Sequence, residues 1–372
     1  MALAADNILR CTVQNERAHI PISNMALMIE DPSAEIPEGY GAYLVSPEAT
    51  FIDRRNFYVM PDGCLPGSFV YIDRDTETPA ARLLVTADIP DRTLFTTGQC
   101  NSNCIMCPYT QRFRQLEKQE RLDILYRYID LMDSNAEYLC ITGGEPTLLK
   151  KDFISLLAKV KAHFSNAMIH ILTNGRTFYY DDFLKAYQEV RPYRTLLGIP
   201  LHASTAELHD QITQSKGSFY ETWRGIDNLY MAGEHIEIRI VTSALNYENL
   251  PELAERIADR YPQMHHVCFM GLEMMGNSMI NRKQVWCTYD RIWPSIRKAS
   301  EILIAHGIPV QLYNYPLCMI EKKYHPLYRK SITPSKIEYF DACAACNRMN
   351  ACGGFFRTTK IMPDIQVIPY TR

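Results

Sequence analysis

Residues 138–146 read Tyr-Leu-Cys-Ile-Thr-Gly-Gly-Glu-Pro, a short apolar and β-branched run that stops at two glycines and is followed by a carboxylate. A run of this length bounded by Gly and Pro reads as a buried strand, with the glutamate just past its C-terminal end. The pattern repeats on both sides. Upstream, 94–97 is a short strand that ends in the loop GQCNSNCIMCPYT, and a helix is expected within 118–132. Downstream come helix 151–164, strand 168–173, helix 180–190, strand 195–201, helix 219–232, strand 236–242, helix 249–260 and strand 265–271. A last helix near 288–306 and a strand near 309–313 follow. Most of the strands are apolar throughout, as expected where both faces of a sheet are covered. Strand and helix alternating through six strands predict an α/β fold, either a parallel barrel or a doubly wound sheet. The residues with chemical character lie just after strand C-termini, where such folds place their sites.

Residues 1–90 differ. Short β-branched runs at 19–22, 41–45, 57–60, 68–72 and 82–86, separated by Pro-Asp-Gly and Pro-Gly turns, predict a small N-terminal β-rich domain. Of 372 residues, 47% are hydrophobic and 22% charged, the proportions of a globular chain with a real core. A net charge of −3 gives no electrostatic case for nucleic-acid or membrane binding. There is no membrane-length apolar run and no signal-peptide pattern, so a cytoplasmic protein is expected.

Seven of the twelve cysteines fall into two groups. Cys100, Cys104 and Cys107 form a C-x3-C-x2-C triplet. Three thiolates on one loop can hold three irons of a [4Fe–4S] cubane and leave the fourth iron open to a ligand. A structural zinc site fits less well, because one step of the triplet is C-x3-C and no nearby histidine offers a fourth ligand. Cys318, Cys343, Cys346 and Cys352 supply four thiolates, enough for a second [4Fe–4S] cluster or for zinc. Cys11, Cys64, Cys140, Cys268 and Cys287 are scattered and read as small buried hydrophobes.

The triplet followed by Gly143-Gly144-Glu145-Pro146 resembles the signature of the radical S-adenosylmethionine (radical SAM) superfamily. That resemblance implies a partial (βα)6 TIM-like barrel over 91–306 and a C-terminal auxiliary-cluster segment over 307–372. It also implies a [4Fe–4S] cluster with one open iron, S-adenosylmethionine as ligand, and reductive cleavage to a 5′-deoxyadenosyl radical. Gly143, Gly144 and Glu145 match the motif that receives the SAM amine, and Thr173-Asn174 the segment lining the ribose. Arg239 is placed to pair with the SAM carboxylate. Met106 stands where the superfamily usually has an aromatic residue. His202 stands where many relatives carry a ribose-binding residue, and a packed histidine is the competing reading. Glu273 is a candidate substrate contact set against an ordinary solvated glutamate.

The spacing of Cys343, Cys346 and Cys352 resembles part of the auxiliary-cluster domains of peptide-modifying members. The stretches 94–108, 269–278, 313–318 and 343–356 together resemble the HxsC-type maturases of His-Xaa-Ser systems. This implies a substrate peptide, a sister radical SAM maturase and an electron donor such as flavodoxin or ferredoxin. A radical SAM enzyme acting on a small molecule or RNA, and a non-catalytic zinc or Fe–S protein, are the rival expectations.

Overall fold

A computed structural model describes residues 5–13, 21–29, 36–48, 56–62, 64–74, 80–85, 93–116 and 122–371. Parts of the expected runs at 19–22 and 82–86, Gly63 and the first residues of the expected helix 118–132 lie outside these.

The first sheet has six strands: β1 (Ile8–Thr12), β2 (Met25–Ile29), β3 (Ala42–Val45), β4 (Phe57–Val59), β5 (Phe69–Asp73) and β6 (Ala80–Val85). Their order is β4-β3-β2-β1-β5-β6. The run from β1 to β4 is parallel, and β5 pairs antiparallel with both β1 and β6. One face buries Leu9, Cys11, Ala26, Leu44, Val70 and Ile72 in a core of its own. Within it the thiols of Cys11 and Cys64 meet at 3.1 Å, although 53 residues separate them. Ile8, Phe69 and Tyr71 instead join the main core.

The second sheet has eight strands: β7 (Thr93–Phe95), β8 (Tyr138–Thr142), β9 (Met168–Leu172), β10 (Thr195–Pro200), β11 (Ile236–Val241), β12 (His266–Met270), β13 (Val310–Tyr313) and β14 (Tyr328–Arg329). Every pairing is parallel and the strands lie in chain order. Strand order that never reverses is the winding of a barrel, and it excludes the doubly wound alternative. The order ends at β7 and β14 without closing, so the barrel is partial. The six expected strands are present, β13 is the further strand expected near 309–313, and β14 extends the sheet beyond it.

The crossovers carry α1 (Gln111–Leu116), α2 (Leu122–Leu131), α3 (Lys151–His163), α4 (Asp181–Val190), α5 (Ala206–Thr213), α6 (Ser218–Met231), α7 (Leu250–Arg260), α8 (Asn277–Ile280), α9 (Arg282–Val285) and α10 (Tyr289–Ala305). α7 shows why these residues form a helix. Leu250, Leu253, Ala254, Ile257 and Ala258 recur at three- and four-residue steps on one buried face, and Pro251 sits in the first turn, where no amide is missed. α5, which sequence periodicity did not reveal, starts at Thr205, whose side chain accepts from Leu208 N. The first sheet docks on α2: Phe69 stacks on Tyr128 at 5.6 Å, and Arg127 donates to Ile8 O at 2.9 Å. No helix among the described residues is long and apolar enough to cross a membrane.

Candidate active site at the C-terminal mouth of the partial barrel

The triplet occupies the loop that leaves β7, and four later segments fix its shape. Asn103 N donates to Thr213 O at 2.9 Å and Ile105 N to Ile212 O at 2.8 Å, laying the loop along the end of α5. Arg176 Nη1 reaches Asn101 O at 2.7 Å and the Ser102 hydroxyl at 3.0 Å. From the loop after β12, Asn277 N donates to Cys107 O at 2.8 Å, and its side chain reaches Cys104 O at 3.0 Å. Asn281 adds a bond to Ile105 O at 3.1 Å. Met106 packs with Ile105, Ile212, Leu272 and Met274 in a small apolar cluster.

The GGEP turn is the second wall. Gly144 N donates to Thr97 O at 2.6 Å and Glu145 N to Gln99 O at 2.7 Å. A side chain at Gly143 would overlap Thr97 O, and one at Gly144 would overlap the carbonyls of Gly98 and Gln99. The two glycines therefore let this turn lie against the chain that leads into the cysteines.

Glu145 is fully buried. Its Oε1 accepts from Thr147 N (3.0 Å), the Thr147 hydroxyl (2.7 Å) and the Thr173 hydroxyl (2.6 Å), and its Oε2 accepts from Asn174 N (2.5 Å). Burial raises its pKa, and these hydrogen bonds pull the other way. Asn174 continues the chain of contacts, with Nδ2 donating to Asn101 Oδ1 at 2.6 Å. Glu145, Thr173, Asn174 and the cysteine loop thus form one connected assembly.

The thiols suit an anionic iron–sulfur cluster. Ser102 N points at Cys100 Sγ and Tyr109 N at Cys107 Sγ, each at 3.4 Å, the amide-to-sulfur contacts that stabilise cluster thiolates. Arg114 is buried against the loop, donating to Ser102 O at 2.8 Å and to the Asn103 side chain. Burial pushes Cys100 up to about 11 and Cys104 up to about 12, while the Arg114 charge lowers all three thiols. Binding iron therefore has to displace protons, and a cation already waits for the charge that results.

Residues 94–257 match the profile of the Radical SAM superfamily. They form a radical SAM domain. Two curated relatives are each 25% identical to the chain. One is Fe-coproporphyrin III synthase of Methanosarcina barkeri, over 188 residues (50% of this chain, 45% of the relative). The other is the antilisterial bacteriocin subtilosin biosynthesis protein AlbA of Bacillus subtilis, over 166 residues (44% and 35%). The chain thus spans less than half the length of these relatives. Among solved structures, Streptococcus suis SuiB bound to its precursor peptide SuiA aligns with a TM-score of 0.47 at 12% identity, covering 60% of this chain and 48% of SuiB. Proteins with a radical SAM domain use a [4Fe–4S] cluster and S-adenosylmethionine, and the cysteine loop has the donors for the cluster.

Arg239 and His202, two further expected site residues, both have partners within the domain. Arg239 donates through Nη1 to Glu237 Oε1 on its own strand, so it is held toward the barrel interior. His202 is buried and stacked on His209 at 5.7 Å. Glu273 is partly exposed and pairs with Lys336 of the C-terminal segment at 3.1 Å. Sequence reading missed Asn101, Arg114, Arg176, Asn277 and Asn281. The Met-Gly-Asn-Ser stretch at 275–278 drew notice only as a resemblance, and nothing in it announced a brace for the cysteine loop.

The stacked histidines predict an acid-labile domain. Burial, with His209 as a lesser cause, holds His202 down at about 3. Burial holds His209 at about 4, where Arg176 also lowers it and Asp210 raises it. Both folded values lie below the unfolded value of about 6.5, so the unfolded chain binds more protons in between. Stability is complete above about pH 6.5 and falls as pH drops toward 4. Urea midpoints measured between pH 4 and 7.5 should decline in this window, and the decline should be shallower in His202→Leu. Equal slopes in the two proteins would mean His202 is not buried neutral.

The second cysteine group lies beyond β13. Cys318, Cys343, Cys346 and Cys352 line one small cavity with Leu317, Tyr339 and Tyr370. Leu317 N and Gly354 N point at Cys352 Sγ, at 3.4 and 3.3 Å. Tyr289 meets Phe355 edge to face at 6.1 Å, tying this segment to α10.

Proposed function

We propose that the chain is a radical SAM enzyme that modifies a peptide, with a His-Xaa-Ser repeat peptide as its substrate. The observation that carries the enzymatic reading is the clamped cysteine loop. Three thiols sit at the C-terminal mouth of the barrel, facing a turn locked in place by Glu145. Bound there, the cluster and S-adenosylmethionine would supply one-electron reductive cleavage, which yields a radical able to abstract a substrate hydrogen. The chain's own residues provide position. Glu145 fixes the GGEP turn against Thr173-Asn174, Asn277 holds the rim over Cys104 and Cys107, and Arg114 offsets thiolate charge. A reacting carbon gains from this only if the mouth is rigid when the substrate arrives.

The peptide reading draws on the second cysteine group and on similarity to AlbA, named for bacteriocin biosynthesis. In this reading, 1–90 is an N-terminal β-rich domain, 91–306 the radical SAM core and 307–372 an auxiliary [4Fe–4S] segment. A flavodoxin- or ferredoxin-like donor and a sister maturase complete the system. A small-molecule substrate is the second reading, favoured by equal identity to Fe-coproporphyrin III synthase.

The test is mass spectrometry of a His-Xaa-Ser peptide co-expressed with the chain or with its Cys100/Cys104/Cys107→Ala variant. A mass change that requires the three cysteines is expected. An unchanged peptide, from protein that still forms 5′-deoxyadenosine with dithionite and S-adenosylmethionine, would favour the small molecule. Zinc without labile sulfide in anaerobically purified protein would remove the enzymatic reading altogether.

A further inference from the structure

The barrel interior contains a polar layer that the cysteine site does not use. His170 lies on β9, Glu237 on β11, and His266 and Cys268 on β12, with Glu237 directly opposite His266 in the register. Glu237 and His266 stand near the starts of their strands, toward the end of the sheet opposite the cysteine loop. All four residues are buried. A carboxylate oxygen of Glu237, a ring nitrogen of His266 and Cys268 Sγ lie within 4.8 Å of one another.

Four features mark this layer as a binding site and not ordinary packing. First, Nε2 of His170 and Nε2 of His266 are buried, and each has only an ion-pair contact to the same oxygen, Glu237 Oε2, at 3.4 and 3.3 Å, without good hydrogen-bond geometry. Such atoms are costly to bury unless something satisfies them. Second, the other nitrogen of each ring is anchored: His170 Nδ1 by the Tyr138 hydroxyl at 2.9 Å, and His266 Nδ1 by His265 Nδ1 at 2.6 Å. An outer hydrogen bond that fixes one ring nitrogen and leaves the other bare is the arrangement of metal-ligating histidines. Third, the intervening strand gives up its side chain. A Cβ on Gly198 would fall 2.9 Å from His170 Nε2 and 3.0 Å from Arg239 Cδ, so only glycine lets His170 reach toward β11. Fourth, Arg239 engages Glu237 Oε1 and leaves Oε2 facing the two imidazoles.

We propose that Glu237, His266 and Cys268, with His170 as fourth donor, form a zinc site that staples β9, β11 and β12 across the barrel interior. Two imidazoles, a carboxylate and a thiolate are the donor set of a tetrahedral zinc ion. The two negative ligands balance its charge, which a buried site requires. The site is separate from both cysteine groups, so it stands whatever the substrate proves to be.

The test uses the full chain with its iron–sulfur clusters reconstituted, exposed to Zn2+ and then passed through a weak chelator. About one zinc per chain should remain. Its X-ray absorption should show one sulfur at about 2.3 Å and nitrogen or oxygen donors at about 2.0–2.1 Å. Cys268→Ser and His266→Gln should each lose the zinc with iron and sulfide contents unchanged. Tyr138→Phe, which removes the hydroxyl that anchors His170 Nδ1 and keeps the ring, should weaken retention about tenfold or more. No retained zinc, a four-sulfur shell that places the ion at Cys318/Cys343/Cys346/Cys352, or full retention in the Cys268 and His266 variants would each overturn the proposal.

Discussion

Cys104→Ala abolishes 5′-deoxyadenosine formation while leaving the protein folded: this is the expected result at the centre of the triplet. The cubane needs three thiolates to hold three irons, and two cysteines cannot retain it. Little else depends on this side chain, because the loop is held by backbone and neighbouring groups. Cys104 O binds Asn277, Asn103 N binds Thr213 O, and Ile105 N binds Ile212 O. Alanine keeps all of these. Iron and sulfide should fall by the content of one cluster, and the remainder should belong to Cys318, Cys343, Cys346 and Cys352. Anaerobic metal analysis with chromatography of the nucleoside product checks both numbers. Retained product formation would remove the triplet from the active site.

Glu145→Ala should destabilise the fold as well as disable the site. Four donors converge on that carboxylate. The Thr147 hydroxyl has Thr177 Oγ1 at 2.6 Å as a second partner, but the amides of Thr147 and Asn174 are fixed by the backbone. Two amides stripped of their acceptor in a buried turn cost roughly 2–6 kcal/mol together. Glu145→Gln keeps one oxygen and faces an N–H against an N–H at the other position, so its cost should be near the lower end. Denaturant titration of the apo-proteins should rank native above Gln above Ala. S-adenosylmethionine binding to reconstituted protein should be lost in Ala and weakened in Gln. An Ala variant as stable as the native chain would show that Glu145 does not clamp β8 to β9.

The fold was legible because its signals are local. A strand such as 138–142 declares itself through an apolar run cut off by Gly-Gly, and α7 through its three- and four-residue spacing. α5 escaped because His209 and Thr213 make its buried side look polar. The cysteines were legible because three of one residue type in eight positions carry information by themselves. Asparagine does not, so Asn101, Asn277 and Asn281 gain meaning only when the fold brings them to the loop. The interior layer was hidden for a related reason. His170, Glu237, His266 and Cys268 come from three strands and share no spacing, and Cys268 was read as a small hydrophobe inside an apolar run. Arg239 drew attention as a partner for the S-adenosylmethionine carboxylate, whereas Glu237, the carboxylate it pairs with on its own strand, went unnoticed.

The brace supplied by Asn277 also sets a clock. Its side chain meets Asn103 across 174 residues of chain, so the rim of the cysteine loop cannot close until the segment after β12 has been made. At translation rates of about 5–20 residues per second, that is roughly 10–35 s after the cysteines are synthesised. Throughout this interval the three thiols ride on a nascent chain without their cover, open to oxidation and to whichever metal arrives first. The cysteine loop therefore gains its full brace only once Asn277 and Asn281 have been made, and reducing conditions during synthesis protect the thiols until then.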